Sequence, residues 1–237
     1  MLSLVIGHAV LDGATIAFDL DGTLVESAPD VIGAVNAVLV AQGLPGLGYD
    51  DVRPFISRGA RWLLERGLTE AGVSHAPTRA ADLFGDFLVH YGAHLADESY
   101  VFPGKSDALQ ALRTAGARLV VCTNKPTDLS LRLLADLQIA DHFDAVVGLD
   151  MASAPKPSAA HLLEAIAAVG GDPAHAVMVG DSDIDAGAAR AAGVSLLLVD
   201  FGYSETPASQ LAPDVLLHHF DELVGACVRV LTVSRAS

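Results

Sequence analysis

The sequence predicts an α/β protein built on a parallel sheet covered on both faces. Three observations carry this. Short unbroken apolar runs alternate with helical patterns through the second half of the chain, which is the signature of buried parallel strands joined by helices. Polar clusters rich in Asp, Lys and Thr follow directly on those apolar runs. A stretch of about 70 residues near the start, roughly 28–98, holds helical periodicity with no strand pattern between.

The first apolar run is Ile16-Ala17-Phe18, and it leads into Asp19-Leu20-Asp21-Gly22-Thr23-Leu24. In an extended chain Asp19 and Asp21 project to the same side, so two negative charges converge and require a cation, a shared proton, or both. Gly22 permits a sharp turn and is expected to aim its N–H at an anion, with the Thr23 hydroxyl as a second donor. Helical patterns then cover Val31 to Gln42, Ala60 to Glu70 and about Thr78 to Leu95. From Val101 onward the pattern alternates. Lys105 to Ala115 reads as helix, Arg118–Cys122 as strand, Asp128 to Gln138 as helix and Ala145 to Leu149 as strand. A helix from Ser158 to Val169, a strand Ala176–Val179, an Ala-rich helix to Ala192 and a strand Val194 to Val199 follow. A weaker strand at Val215–Leu217 precedes a last helix.

Composition narrows the function classes. Of 237 residues, only 14 are Lys or Arg and the net charge is −15, which opposes a phosphate-tracking surface for nucleic acid or for an anionic membrane. No apolar run has the length of a transmembrane helix. Met1-Leu2-Ser3-Leu4-Val5-Ile6 lacks a basic start and reads as mature sequence, which gives a cytoplasmic expectation. Cys122 and Cys227 are far apart and suit neither a disulfide framework nor zinc, so both are expected as buried thiols.

In a parallel α/β sheet ligands bind beyond the carboxyl ends of the strands. Four polar clusters fall there: Asp19/Asp21, Thr123/Asn124/Lys125, Lys156, and Asp181/Asp185. Carboxylates without His or Cys companions suit a hard cation, Mg2+ above all. Asp19 and Asp181 are expected as direct ligands, and Asp185, one helical turn beyond Asp181, as a ligand through water or as the partner that orients Lys156. A metal, a hydroxyl and a lysine around one carboxylate point to phosphoryl transfer. Thr123 would donate to phosphoryl oxygens with backbone help at Asn124 and Gly22. Lys156, between Pro155 and Pro157, would neutralise charge, and Lys125 is a candidate substrate contact.

These motifs resemble the four that mark the haloacid-dehalogenase-like hydrolase superfamily: Asp19-Leu20-Asp21-Gly22-Thr23, Thr123, Lys156, and Gly180-Asp181-Ser182-Asp183-Ile184-Asp185. The resemblance implies a Rossmann-like core, residues 1–26 and 100–237, with a small α-helical cap, residues 27–99, inserted between the first two motifs. It implies that Asp19 is a nucleophile forming an aspartyl phosphate, that Asp21 is the general acid and base, and that the Asp21 backbone carbonyl is a further metal ligand. A narrower resemblance, through Asp19 to Asp30, Phe102-Pro103-Gly104 and Thr123-Asn124-Lys125-Pro126, is to bacterial phosphoglycolate phosphatases, which implies hydrolysis of 2-phosphoglycolate.

Two positions depart from that subgroup. Ile56-Ser57-Arg58-Gly59 stands where a Val-Gly-any-Gly turn is common, and Ala159 replaces a proline. Arg58 is the candidate grip for a substrate carboxylate, with Arg53 and Arg61 as alternatives. The motifs alone leave open a phosphatase for a sugar phosphate, nucleoside monophosphate or pyrophosphate, and a phosphomutase. A catalytically idle binding protein would not require the full set of Asp19, Asp21, Thr123, Lys156 and Asp181. The oligomeric state is not encoded in any of these features.

Overall fold

In the computed structural model, residues 9–234 are described; the reading of Met1 to Ile6 as mature sequence lies outside them. The main sheet has six parallel strands: β1 (Thr15–Phe18), β4 (Arg118–Cys122), β5 (Ala145–Val147), β6 (Ala176–Gly180), β7 (Ser195–Val199) and β8 (Val215–Leu217). Their spatial order is β5-β4-β1-β6-β7-β8, a doubly wound Rossmann-like α/β sheet. From β1 the chain builds one side of the sheet through β4 and β5, then returns to build the other through β6, β7 and β8. The carboxyl ends of β1, β4 and β6 are therefore neighbours, and Phe18 stands level with Val121 on one side and Val179 on the other.

Alternation along each strand feeds two buried faces. Ile16, Phe18, Val121, Val179 and Leu197 join one apolar cluster, while Ala17, Val120, Met178, Leu196 and Leu198 join the other. Helices Lys105–Thr114 and Leu223–Ser234 lie among the elements packed on the first face, and Ala159–Ala168 and Asp183–Ala192 on the second.

Two short strands that the sequence reading missed, β2 (Val25–Glu26) and β3 (Tyr100–Val101), form an antiparallel ribbon through which the chain leaves and re-enters the sheet domain. Two residues are too few to show alternation, and their pairing spans more than 70 residues of sequence. Between them run helices Ala28–Ala41, Tyr49–Val52, Ala60–Glu70 and Ala76–Ala93, with a 3-10 segment at Arg53–Arg58. Pro77 in the first turn marks where the last of these begins, two residues earlier than the periodicity suggested. Leu39, Leu63, Leu64 and Phe87 carry this helical insertion into the same apolar cluster as one face of the sheet. No helix among the described residues is long and apolar enough to cross a membrane.

Candidate active site

Asp19 is the first residue past β1, and its N–H is donated to Val179 O at 2.9 Å, which extends the strand pairing by one step. Gly22 has φ 82°, and a Cβ there would lie 2.5 Å from Asp181 Oδ2 and 2.7 Å from the Tyr203 ring. Glycine is thus required at this turn by conformation and by space. The turn closes on itself: Gly22 donates its N–H to Val25 O at 2.8 Å. That N–H is therefore not the anion donor expected of it. Thr23 is likewise displaced from its expected role, being fully buried with its hydroxyl donated to Asp181 Oδ1 at 3.0 Å. Closure of the turn takes up the first group and the contact with Asp181 the second.

Asp181 follows β6 and is held from two directions. Thr23 supplies one hydrogen bond, and the Tyr203 N–H donates to Asp181 Oδ2 at 2.6 Å. Asp185 forms a capping box with Ser182: its Oδ2 accepts from the Ser182 hydroxyl at 2.8 Å and from the Asp181 N–H at 3.1 Å. Its other oxygen accepts from Lys156 Nζ at 2.7 Å. Asp183 is exposed.

Lys156 lies in the Pro155–Pro157 loop, whose Lys156–Pro157 bond is cis. Asn124 clasps the loop by its backbone, donating to Lys156 O at 3.0 Å and accepting from Lys156 N–H at 3.0 Å. The side chain is buried, with Nζ at 2.9 Å from Asp19 Oδ1 as well as at Asp185. Burial disfavours its charge, but the pull of Asp185 and Asp19 wins and its pKa is raised. Thr123 is buried beside it, and its hydroxyl oxygen accepts from the Lys125 N–H at 3.2 Å, which leaves the hydroxyl proton free of that bond.

Burial raises the Asp19 pKa against the attraction of Lys156, and Asp185 and Asp21 add to the rise, which reaches about 6. Burial also holds Asp181 well above the usual carboxylate range, reinforced by Asp185 and Asp19. Asp19, Asp181 and Asp185 each present an oxygen within 4.8 Å of the others. Asp19 Oδ1 is buried, and its polar neighbour is the Lys156 ammonium at 2.9 Å. An all-oxygen set of crowded carboxylates, one with a buried oxygen met only by a lysine, fits a hard divalent cation. Both oxygens of Asp181 and of Asp185 already accept hydrogen bonds, but one Asp185 partner is the Lys156 ammonium whereas those of Asp181 are uncharged, which makes Asp19 and Asp181 the better direct ligands.

Asp21 accepts hydrogen bonds from the Ser27 hydroxyl and from Lys125 Nζ, the latter at 3.0 and 3.1 Å to its two oxygens. Lys125 Nζ also donates to the Tyr91 hydroxyl at 2.6 Å. These groups open onto a cavity of about 520 Å3 whose far wall, from the helical insertion, includes Ile56, Phe84, Phe87 and Leu88. Arg58 stands on that wall, but its guanidinium pairs with both oxygens of Glu205, the Nη2 bond being 3.0 Å. Arg61 lines the same cavity. Arg53 is a brace, bound to Glu26 at 2.5 Å and to the Phe201 and Gly202 carbonyls at 3.2 and 3.3 Å.

Tyr91, Tyr203, Ser27 and Lys105 were not singled out by the sequence reading. Lys105 is buried, donates to the Thr23 and Leu24 carbonyls and lies over the Phe102 and Phe220 rings, fastening the ribbon behind the site. A Ser two residues ahead of Pro29, at a helix start after the first motif, was the only local hint for Ser27, and none existed for the others.

A family model described as haloacid dehalogenase-like hydrolase matches residues 14–193. The phosphoglycolate phosphatase of Caulobacter vibrioides is 51% identical over 222 residues, 94% of either chain. That of Agrobacterium fabrum is 37% identical over 220 residues, 93% of this chain and 94% of the relative. Among solved structures, a predicted phosphoglycolate phosphatase from Haemophilus somnus superposes with a TM-score of 0.84 at 28% identity, covering 91% of this chain and 97% of that one.

Proposed function

The chain belongs to the haloacid dehalogenase-like hydrolase family, and we propose that it is a Mg2+-dependent phosphatase that hydrolyses 2-phosphoglycolate to glycolate and phosphate. The observation that carries this reading is Asp19, a half-buried carboxylate whose Oδ1 stands 2.9 Å from the Lys156 ammonium, lining the cavity that the helical insertion walls. The 51% identity to a phosphoglycolate phosphatase along nearly the whole chain supports the substrate.

In this reading an Asp19 oxygen attacks phosphorus, the bond from phosphorus to the glycolate oxygen breaks, and that oxygen takes a proton from Asp21. Water then attacks the aspartyl phosphate, gives its proton to Asp21, and phosphate leaves with Asp19 restored. Thr123 donates its hydroxyl to a phosphoryl oxygen, and Lys156 balances the charge of Asp19 and of the phosphoryl group. Asp19, Asp181 and the Asp21 backbone carbonyl would hold the Mg2+, with Asp185 acting through Lys156. When bound, the ion would supply charge neutralisation to the phosphoryl group.

Residues 27–99 act as a cap on a core of residues 1–26 and 100–237, excluding water from the phosphoryl group and selecting its leaving part. The proposal extends to a cytoplasmic location, where the buried thiols Cys122 and Cys227 stay reduced. The test is phosphate release from 2-phosphoglycolate with Mg2+, with chelator, and in the Asp19→Asn variant. Loss of release in the last two is expected. Metal-independent release or an active variant overturns the mechanism, whereas rapid release from other esters with none from phosphoglycolate overturns the substrate alone.

A further inference from the structure

Lys125 has three ammonium protons and three oxygen partners: Asp21 Oδ1 at 3.0 Å, Asp21 Oδ2 at 3.1 Å and the Tyr91 hydroxyl at 2.6 Å. A lysine has no acceptor, so the phenol oxygen receives the bond. Lys125 follows β4 in the sheet domain, whereas Tyr91 belongs to helix Ala76–Ala93 of the insertion. The contact therefore crosses from one part of the molecule to the other and ends on Asp21.

Tyr91 is built into its place. It is buried and its ring stacks on Phe87 at 5.4 Å, which stacks in turn on Phe84 at 5.7 Å. Lys125 Nζ is also 4.7 Å from the centre of the Tyr91 ring. Burial pushes the phenol pKa up to about 12, so the group meets Lys125 as a neutral dipole. Nothing in the fold requires a hydroxyl among these stacked rings; phenylalanine would pack as well. The hydroxyl's partner is the lysine, and without it one ammonium proton is left buried and unpaired.

We propose that Tyr91 is a positioning residue: through Lys125 it makes the orientation of the Asp21 carboxylate depend on the seating of the helical insertion over the sheet. The inference rests on the phosphatase reading, in which Asp21 moves protons. With Tyr91 in place, Lys125 is fixed between two parts of the molecule and Asp21 is held by it and by Ser27. When the insertion lifts, Lys125 loses its third partner and Asp21 loses a fixed neighbour.

The experiment is a double-mutant cycle on the full chain with Mg2+, using Tyr91→Phe, Lys125→Met and the pair. Tyr91→Phe keeps the stacked rings and is expected to lower kcat about tenfold, the scale of a misplaced rather than a deleted group, with KM changed less than about twofold. In the Lys125→Met background the same change is expected to have no further effect, since the pathway is already cut. Independent losses in the two backgrounds, or a Tyr91→Phe enzyme with wild-type kcat, overturn the proposal. A second readout needs no substrate. The proton–nitrogen NMR signal of the Lys125 ammonium, assigned by its loss in Lys125→Met, is expected in wild type and lost to solvent exchange in Tyr91→Phe; its persistence there also overturns the proposal. Wild type is assayed first on 2-phosphoglycolate and on other phosphomonoesters, and the cycle is run on whichever ester it hydrolyses. A wrong substrate thus shows in wild type and a wrong role for Tyr91 only in the cycle. If no ester is hydrolysed, the ammonium signal decides for Tyr91.

Discussion

Arg58 and Glu205 form a two-pronged ion pair between the helical insertion and the loop after β7, at the rim of the cavity. Glu205 thus offers Arg58 the same chemical group that a carboxylate-bearing substrate would bring. The two carboxylates compete for one guanidinium. Glu205→Gln is expected to lower KM for 2-phosphoglycolate about two- to threefold, a modest gain because the pair is exposed, and to leave KM unchanged for a phosphomonoester without a carboxylate. Arg58→Ala is expected to raise KM for the former only. Steady-state kinetics on the two esters test this; equal shifts for both remove the carboxylate from the account. A loss in Arg61→Ala alone would move the grip to Arg61.

The Asp19 carboxylate costs stability when no metal is bound. Burial, with help from Asp185 and Asp21 and against Lys156, raises the Asp19 pKa from 3.8 to about 6. Between those values the folded protein keeps a proton that the unfolded chain has released. The resulting contribution is full below pH 3.8 and disappears as pH rises through 6. Asp19→Asn carries no such charge. In chelator, this variant is expected to become more stable than wild type as pH rises across this window, by about 3 kcal/mol at pH 7, and the difference should stay level above it. Urea unfolding from pH 4 to 8 measures it. Equal stability at every pH would falsify the assignment.

The sheet and the four strand-end clusters were legible because they follow from local rules: apolar runs make buried strands, and the polar residue after each lies at the carboxyl edge. Asp19, Thr123, Lys156 and Asp181 meet there. Partner choice was less legible. Gly22 and Thr23 have the right donors, yet the turn-closing bond to Val25 and the contact with Asp181 take them up. Lys105 opens a helix with an exposed flank, where lysine ordinarily reads as solvated, but its ammonium caps carbonyls 82 and 81 residues away. Tyr91 reads as one more apolar position at helical spacing; only its proximity to Lys125, 34 residues on, gives the hydroxyl a meaning. Arg58 was placed on the cavity wall by its loop, while its link to Glu205 spans 147 residues. Residue type and spacing report what a group can do, and tertiary contact decides with whom.

Divalent metal should stabilise the fold through the carboxylates it neutralises. Asp181 is held well above the ordinary carboxylate pKa by burial and by Asp185 and Asp19, so a cation bound there relieves repulsion that folding creates. At a hundred times its dissociation constant a ligand contributes about 2.7 kcal/mol. For a chain of this size that corresponds to a rise of roughly 5–10 °C in Tm with Mg2+ over chelator. Asp181→Asn is expected to lose most of the rise, while Lys125→Met, outside the carboxylate cluster, keeps it. Differential scanning calorimetry is the measurement, and a full Mg2+ response in Asp181→Asn would take that residue out of the metal site.

Lys156 is the counter-charge on which the cluster depends even before any metal arrives. Its ammonium is buried 2.7 Å from Asp185 Oδ1 and 2.9 Å from Asp19 Oδ1, with Asp181 close by. Removing one member of a buried charge set costs more than the set contributed, because the remaining charges stay buried without compensation. Lys156→Met fills a similar volume yet leaves three carboxylates facing one another. Metal-free protein is expected to lose about 3–5 kcal/mol and to lose turnover, since Asp19 is no longer balanced against a phosphoryl group. Mg2+ supplies positive charge at the same oxygens and should recover part of the stability but not the turnover. Unfolding curves of the variant with and without Mg2+ separate the two effects. If the metal-free variant is as stable as wild type, the carboxylates have simply taken up protons, and Lys156 is then needed for the reaction alone and not for the fold.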